Sequence, residues 1–176
     1  MVTLYILAFC RVVTGLVFAF SSLSKARDLS RFRQAILNFA LLPERLSGLA
    51  ALLFLAGEFI VVLLVAIGGP FLLAGFLLAA LLLLVFCAAL ASVLVRKLPI
   101  SCNCFGASQK PVTIMDIGRN LGFLLCTVGG CALLGWTQGR RESLGGIEWL
   151  LIGLGAAVFV LIWIQLEEIA QLFRPN

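Results

Sequence analysis

Two cysteines one residue apart, in the run Ser101-Cys102-Asn103-Cys104-Phe105-Gly106, are the residues of this chain best suited to covalent chemistry. They lie in a polar stretch between Lys97 and Lys110, and an accessible thiol flanked by cations is reactive because its thiolate is favoured. Thiols at i and i+2 close only a small ring, which departs from relaxed disulfide geometry and is easier to reduce. Such a pair suits exchange with a partner's thiols. Two other readings of the same residues stay open: a static disulfide that shapes the loop, and half of a thiolate metal site. The metal reading needs further ligands to complete tetrahedral coordination, and the chain contains no histidine. That absence also removes histidine-based nucleophilic triads and His-ligated haem, so no metal site is expected. The other cysteines, Cys10, Cys87, Cys126 and Cys131, fall inside apolar runs, where a thiol behaves as a small hydrophobe.

A second constellation consists of charges inside apolar runs: Arg11, Glu58 and Arg119, with Asn120 beside the last. Such residues are costly in hydrocarbon, face the interior of a bundle and pair with one another. Counted from the helix ends on the cysteine side, Arg11 and Glu58 lie about eleven residues in, roughly 16 Å, and Arg119 lies nearer the surface. The expectation is that Glu58 bridges Arg11 and Arg119, with Asn120 as a hydrogen-bonding neighbour. The result would be either an ion-pair network that sets helix order or a polar pocket beneath the cysteine loop.

The elements that position these groups must be helices in lipid. Of 176 residues, 62% are hydrophobic and 12% charged, with a mean hydropathy of +1.17, whereas a soluble domain is ~45–50% apolar and ~25% charged. The same arithmetic excludes disorder, a coiled coil and a secreted disulfide scaffold. The net charge of +5 flanks apolar runs and meets lipid headgroups, so no nucleic-acid partner is expected. Apolar runs predict spans over 2–22, 46–67, 71–95, 114–136 and 147–166. The first is not read as a signal peptide, because its N-terminus carries no charged side chain and Arg11 sits mid-run. Leu29, Phe32, Ile36 and Phe39 recur at helical spacing among polar residues, so 29–42 predicts an interfacial amphipathic helix. Gly68-Gly69-Pro70 forms a tight turn between antiparallel neighbours, and 96–113 is the C-x-C loop. The fold class is thus an all-α integral membrane protein. It comprises an antiparallel four-helix transmembrane bundle, a fifth span, and the interfacial helix between spans one and two, all in one polytopic domain over 1–176.

The pattern resembles the MauE family of methylamine-utilisation membrane proteins, within the DoxX-like superfamily. The resemblance runs from Arg11 through Ser24-Lys25, the phenylalanine-bearing segment ending at Leu42-Pro43, and Gly57-Glu58, to Cys102-Asn103-Cys104-Phe105-Gly106 followed by Arg119-Asn120. It implies a four-helix core related to DoxX and, more distantly, similar to the vitamin K epoxide reductase bundle. It also implies thiol–disulfide chemistry outside the cytoplasm beside a thioredoxin-like partner, maturing disulfide-containing proteins such as the small subunit of methylamine dehydrogenase. On this resemblance Cys102 and Cys104 are the redox pair, and Arg11, Lys25, Glu58, Arg119 and Asn120 are supporting polar residues. The vitamin K epoxide reductase pattern has a C-x-x-C and a separate loop pair, whereas 21–46 here holds no cysteine. No cofactor is therefore required, and a quinone enters only if Cys10, Cys87 or Cys126 substitutes from within the membrane.

The cysteine side collects Lys25, Arg27, Arg31, Arg33, Arg45, Arg96, Lys97 and Lys110, against mainly Arg140 and Arg141 opposite. Positive-inside counting places that side in the cytoplasm. An exchangeable disulfide persists in an oxidising compartment, and with the resemblance this places the C-x-C loop outside a bacterial cytoplasmic (inner) membrane. The expectation follows the second argument. Two alternatives to a redox role are a small transporter or channel using the Arg11/Glu58/Arg119 cluster and a non-redox assembly factor. A transporter predicts spans broken near mid-membrane, and spans one to four hold no internal proline.

Overall fold

Lipid offers no hydrogen bonds to a bare backbone, so each crossing segment must satisfy its own amides as a helix. In the computed structural model, which describes residues 2–39, 43–96, 113–137 and 144–165, the chain does so repeatedly. The helices are α1 (Val2–Arg27), α2 (Leu29–Asn38), α3 (Glu44–Ile67), α4 (Leu72–Val95), α5 (Ile114–Thr137) and α6 (Gly146–Ile164), with a 3-10 turn at Gly69–Phe71 between α3 and α4. Five of them, all but α2, are long and apolar enough to cross a membrane. Leu53, Leu63, Leu125 and Leu150 are each exposed on the outer surface of the bundle, as expected where hydrocarbon replaces water.

Helices α1, α3, α4 and α5 form a closed ring, each packed on the next, and α6 lies outside against α1. Cross-contacts establish the directions. Between α1 and α3, Arg11 meets Val65 and Lys25 meets Glu58; between α3 and α4, Val65 meets Gly75 and Gly57 meets Leu82; between α4 and α5, Phe76 meets Gly130 and Phe86 clusters with Ile117. Neighbours in the ring are therefore antiparallel. Helix α6 runs parallel to α1: near its start Glu148 accepts a hydrogen bond from Tyr5, and further on Phe159 packs edge-on against Phe9 at 5.6 Å.

The interfacial helix is capped by Asp28, whose carboxylate accepts from the Arg31 amide at 3.0 Å and the Ser30 hydroxyl at 2.8 Å. These bonds, the Ser30 one first, hold the Asp28 carboxyl below its ordinary range. Phe32, Ala35 and Phe39 are buried while Arg31, Arg33 and Gln34 stay exposed, the two-faced pattern expected of this segment. Helix α2 packs on α3, and Arg33 Nε donates to Ser47 Oγ at 3.4 Å.

The largest departure from the expected boundaries is at the end of the first span. Helix α1 continues to Arg27, where the polar run after Phe20 suggested an end near 22. Ser21 and Ser22 do not break it because their hydroxyls find partners: Ser22 Oγ donates to the Ala19 carbonyl and Ser21 Oγ to Glu58 Oε1 of α3, each at 3.0 Å.

Two glycines are required by geometry. Gly68 ends α3 at φ +71°, and its missing Cβ leaves room for the Arg11 guanidinium, whose Nη2 would stand 2.5 Å from that atom. At Gly130 a Cβ would meet the Phe76 ring at 2.7 Å, and Phe76 is fully buried. Gly130→Ala should therefore destabilise the bundle by about 1–3 kcal/mol through overpacking, read as a lower midpoint of thermal unfolding in detergent. Adding Phe76→Leu should return part of that loss.

Candidate functional site

At one end of the bundle, Lys25 of α1 and Glu58 of α3 are withdrawn from solvent, with 3% and 2% of their surfaces exposed. Their side chains pair directly, Lys25 Nζ donating to Glu58 Oε1. Ser21, one turn before Lys25, joins both: Lys25 Nζ donates to Ser21 Oγ at 2.8 Å, and Ser21 Oγ donates to Glu58 Oε1 at 3.0 Å. The i,i+4 spacing of Ser21 and Lys25 puts the two on one helix face.

Three phenylalanines wall the lysine, with ring centroids 5.0 Å (Phe32), 5.1 Å (Phe54) and 5.7 Å (Phe86) from Nζ. A ring face attracts a desolvated cation through its quadrupole, which offsets part of the hydration lost. The rings come from α2, α3 and α4, so the short amphipathic helix α2 helps to close the site. Asn120 of α5 completes the lining of a cavity of about 20 Å³ shared with Ser21, Lys25, Glu58, Phe54 and Phe86, space for about one water molecule. Asn120 is itself oriented by its Nδ2, which donates to the Asp116 carbonyl at 2.8 Å. Glu58 Oε2 has no hydrogen-bond partner among the described residues. A buried carboxylate oxygen with free lone pairs can accept a proton or a donor from an incoming group.

The structure thus brings together Lys25, Glu58 and Asn120 and separates them from Arg11 and Arg119. The expected Arg11–Glu58–Arg119 bridge does not form. Arg11 lies sixteen residues before the end of α1, roughly 24 Å, because that helix runs on to Arg27. It serves the opposite end of the bundle. Arg11 Nε and Nη2 donate to the carbonyls of Val65 and Ala66, each at 2.9 Å, capping the C-terminus of α3, and the guanidinium stands 5.4 Å from the Trp149 ring centroid. Arg119 pairs within its own helix, Nη2 donating to Asp116 Oδ1 at 2.9 Å, and its carbonyl accepts from Trp163 Nε1 of α6 at 3.2 Å. With the three charges apart, the transporter alternative loses the cluster it depended on.

Sequence reasoning missed the Phe54 and Phe86 walls and the Asp116 partner of Arg119. The Asp116–Arg119 pair was visible as an i,i+3 carboxylate and guanidinium. Lys25 was visible too, since Cys10, Thr14, Val17, Ser21 and Lys25 make one buried stripe at helical spacing. Nothing local marks the two phenylalanines among so many apolar neighbours.

Cys102 and Cys104 lie outside the described residues. The helix ends that flank their segment, Arg96 after α4 and Thr113 before α5, belong to the same end of the bundle as the caged pair: Ile117 packs with Phe39, Phe86, Leu90 and Val93 in one apolar cluster. Among the described residues no group of three or more acidic or cysteine side chains could hold a metal ion.

A multi-pass helical membrane protein with a charge pair sealed inside one end of its bundle is the class that this fold and site define. The chain belongs to the MauE family: the profile of "Methylamine utilisation protein MauE" matches residues 3–137. The methylamine utilization protein MauE of Paracoccus denitrificans is 33% identical over 156 residues, covering 84% of this chain and 83% of that protein. No solved structure matches.

Proposed function

We propose that the protein is a thiol–disulfide redox protein of a bacterial cytoplasmic membrane, using Cys102 and Cys104 to exchange disulfides with an extracytoplasmic thioredoxin-like partner. In keeping with the name of its family, the clients are disulfide-containing proteins of the methylamine dehydrogenase type. The observation that supports this reading best is the caged Lys25–Glu58 pair, with its unpartnered carboxylate oxygen, at the bundle end from which residues 97–112 depart and return.

Exchange proceeds by attack of one cysteine thiolate on a disulfide sulfur, giving a mixed disulfide that the second thiolate resolves. Each attacking thiol must first lose its proton, and the departing thiolate regains one. Glu58 Oε2 is the acceptor through which the membrane end of the site serves that proton, Ser21 holds its carboxylate in place, Asn120 lines the cavity beside it, and Lys25 neutralises it.

The deciding measurement is the redox state of Cys102 and Cys104, trapped by acid and followed with a membrane-impermeant maleimide on intact spheroplasts. After mild reduction the reagent should label one or both and spare the helix-embedded thiols. Labelling only in broken membranes would put the loop in the cytoplasm and overturn the partnership with an extracytoplasmic protein. A pair that stays fully reduced in cells and never forms a mixed disulfide would overturn the redox reading itself.

A further inference from the structure

The fold places two cysteines 116 positions apart against each other inside the membrane. Helices α1 and α5 pack on each other, and Cys10 of α1 and Cys126 of α5 stand in the main apolar cluster of the bundle, near enough for each thiol to perturb the other. Both read as packing residues in the sequence, with a relay role only if a quinone takes part. Cys10 stands fifteen residues before Lys25, roughly 22 Å along the helix, so direct exchange with a pair at the other end of the bundle is out of reach for it. Both are free thiols. Their surroundings differ: Cys10 is 7% exposed, whereas Cys126 is half-buried.

We propose that Cys10 and Cys126 are a second, membrane-embedded dithiol that closes to an α1–α5 disulfide when an uncharged hydroperoxide reaches it. The apolar setting selects the oxidant, since charged disulfides such as oxidised glutathione do not enter hydrocarbon while a small uncharged peroxide does. Accessibility assigns the order. The half-buried Cys126 Sγ attacks the peroxide, the O–O bond breaks, the thiol proton passes to the departing alkoxide, and Cys126 becomes a sulfenic acid. Cys10 Sγ then attacks Cys126 Sγ, the S–O bond breaks, and the hydroxyl leaves as water with the Cys10 proton. Two thiols are oxidised by two electrons and one hydroperoxide is reduced to an alcohol and water. The bond joins the first span to the fourth and restrains their relative movement until a thiol reductant reopens it.

The test uses the full chain in vesicles treated with tert-butyl hydroperoxide, acid-quenched and mapped by mass spectrometry after alkylation. Wild-type protein should lose both Cys10 and Cys126 as alkylatable thiols and yield one cross-linked peptide pair that contains them; oxidised glutathione should yield no such pair. Cys10→Ala should leave a Cys126 sulfenic acid that dimedone captures, and Cys126→Ala should leave Cys10 fully alkylatable. The wild-type measurement needs no variant to fold. If both thiols remain alkylatable at peroxide levels that oxidise a lipid-soluble thiol in the same vesicles, the site does not exist. Cross-linking by oxidised glutathione, or oxidation of Cys10 in Cys126→Ala, would equally overturn it. Repeating the experiment with Cys102 and Cys104 both replaced by serine keeps this site distinct from the proposed loop pair, since its yield should not change.

Discussion

Glu58→Ala should cost about 3–5 kcal/mol of stability, because removing one member of a desolvated pair leaves the other charge uncompensated. The charge left behind is Lys25, 3% exposed and held among three aromatic rings with Ser21 as its remaining polar contact. Rings attract the ammonium but accept no conventional hydrogen bond from it, so they cannot replace the carboxylate. Joint neutral replacement, Lys25→Met with Glu58→Gln, removes both charges and should recover most of the loss. Combining Glu58→Ala with Arg119→Ala should recover nothing, since Arg119 is paired with Asp116. Thermal unfolding in detergent and the yield of inserted protein read the comparison. A Glu58→Ala protein as stable as the parent would show that the two side chains are not coupled in the membrane.

The second large effect concerns activity rather than stability. Cys102→Ser and Cys104→Ser should each abolish function in a disulfide-maturation assay while leaving the protein inserted and folded. Serine retains the size of cysteine but forms neither a mixed disulfide nor a resolving thiolate, so either single change stops the cycle after at most one step. The helices that make the bundle owe nothing to either residue: the ring of α1, α3, α4 and α5 closes through contacts within 2–39, 43–96 and 113–137. Insertion and melting behaviour should match the parent. Full complementation by both variants would end the redox reading and favour an assembly factor that holds its client without exchanging thiols.

The crossing helices were legible in the sequence because lipid is a uniform solvent. Any run of about twenty apolar residues must be a helix there, whatever its neighbours do, so α3, α4 and α5 begin and end within about two residues of where hydropathy placed them. The amphipathic helix α2 was legible for the same kind of reason, with Leu29, Phe32, Ile36 and Phe39 falling at spacings of three and four. Hydropathy failed at the end of α1, where Ser21, Ser22, Ser24 and Lys25 read as a polar stretch leaving the membrane. That reading treated polarity as exposure to water. Tertiary packing reversed it, since Glu58 arriving from α3 and rings from α2, α3 and α4 make a polar pocket in which Ser21 and Lys25 are buried.

By itself the sequence determined that this chain crosses a membrane repeatedly, which residue types could do chemistry, and which charges must find partners inside. Only the tertiary structure decided the pairing. Glu58 finds its opposite charge in Lys25, Arg11 turns to the far end of α3, Arg119 to its own helix, and Cys10 shares an apolar cluster with Cys126. The physical reason is that hydropathy depends on composition along a segment, whereas a buried contact depends on the depth and rotation of two helices at once. A few extra residues of helix at the end of α1 shift where every depth is counted from, and with that shift the charge opposite Glu58 changes from an arginine to a lysine.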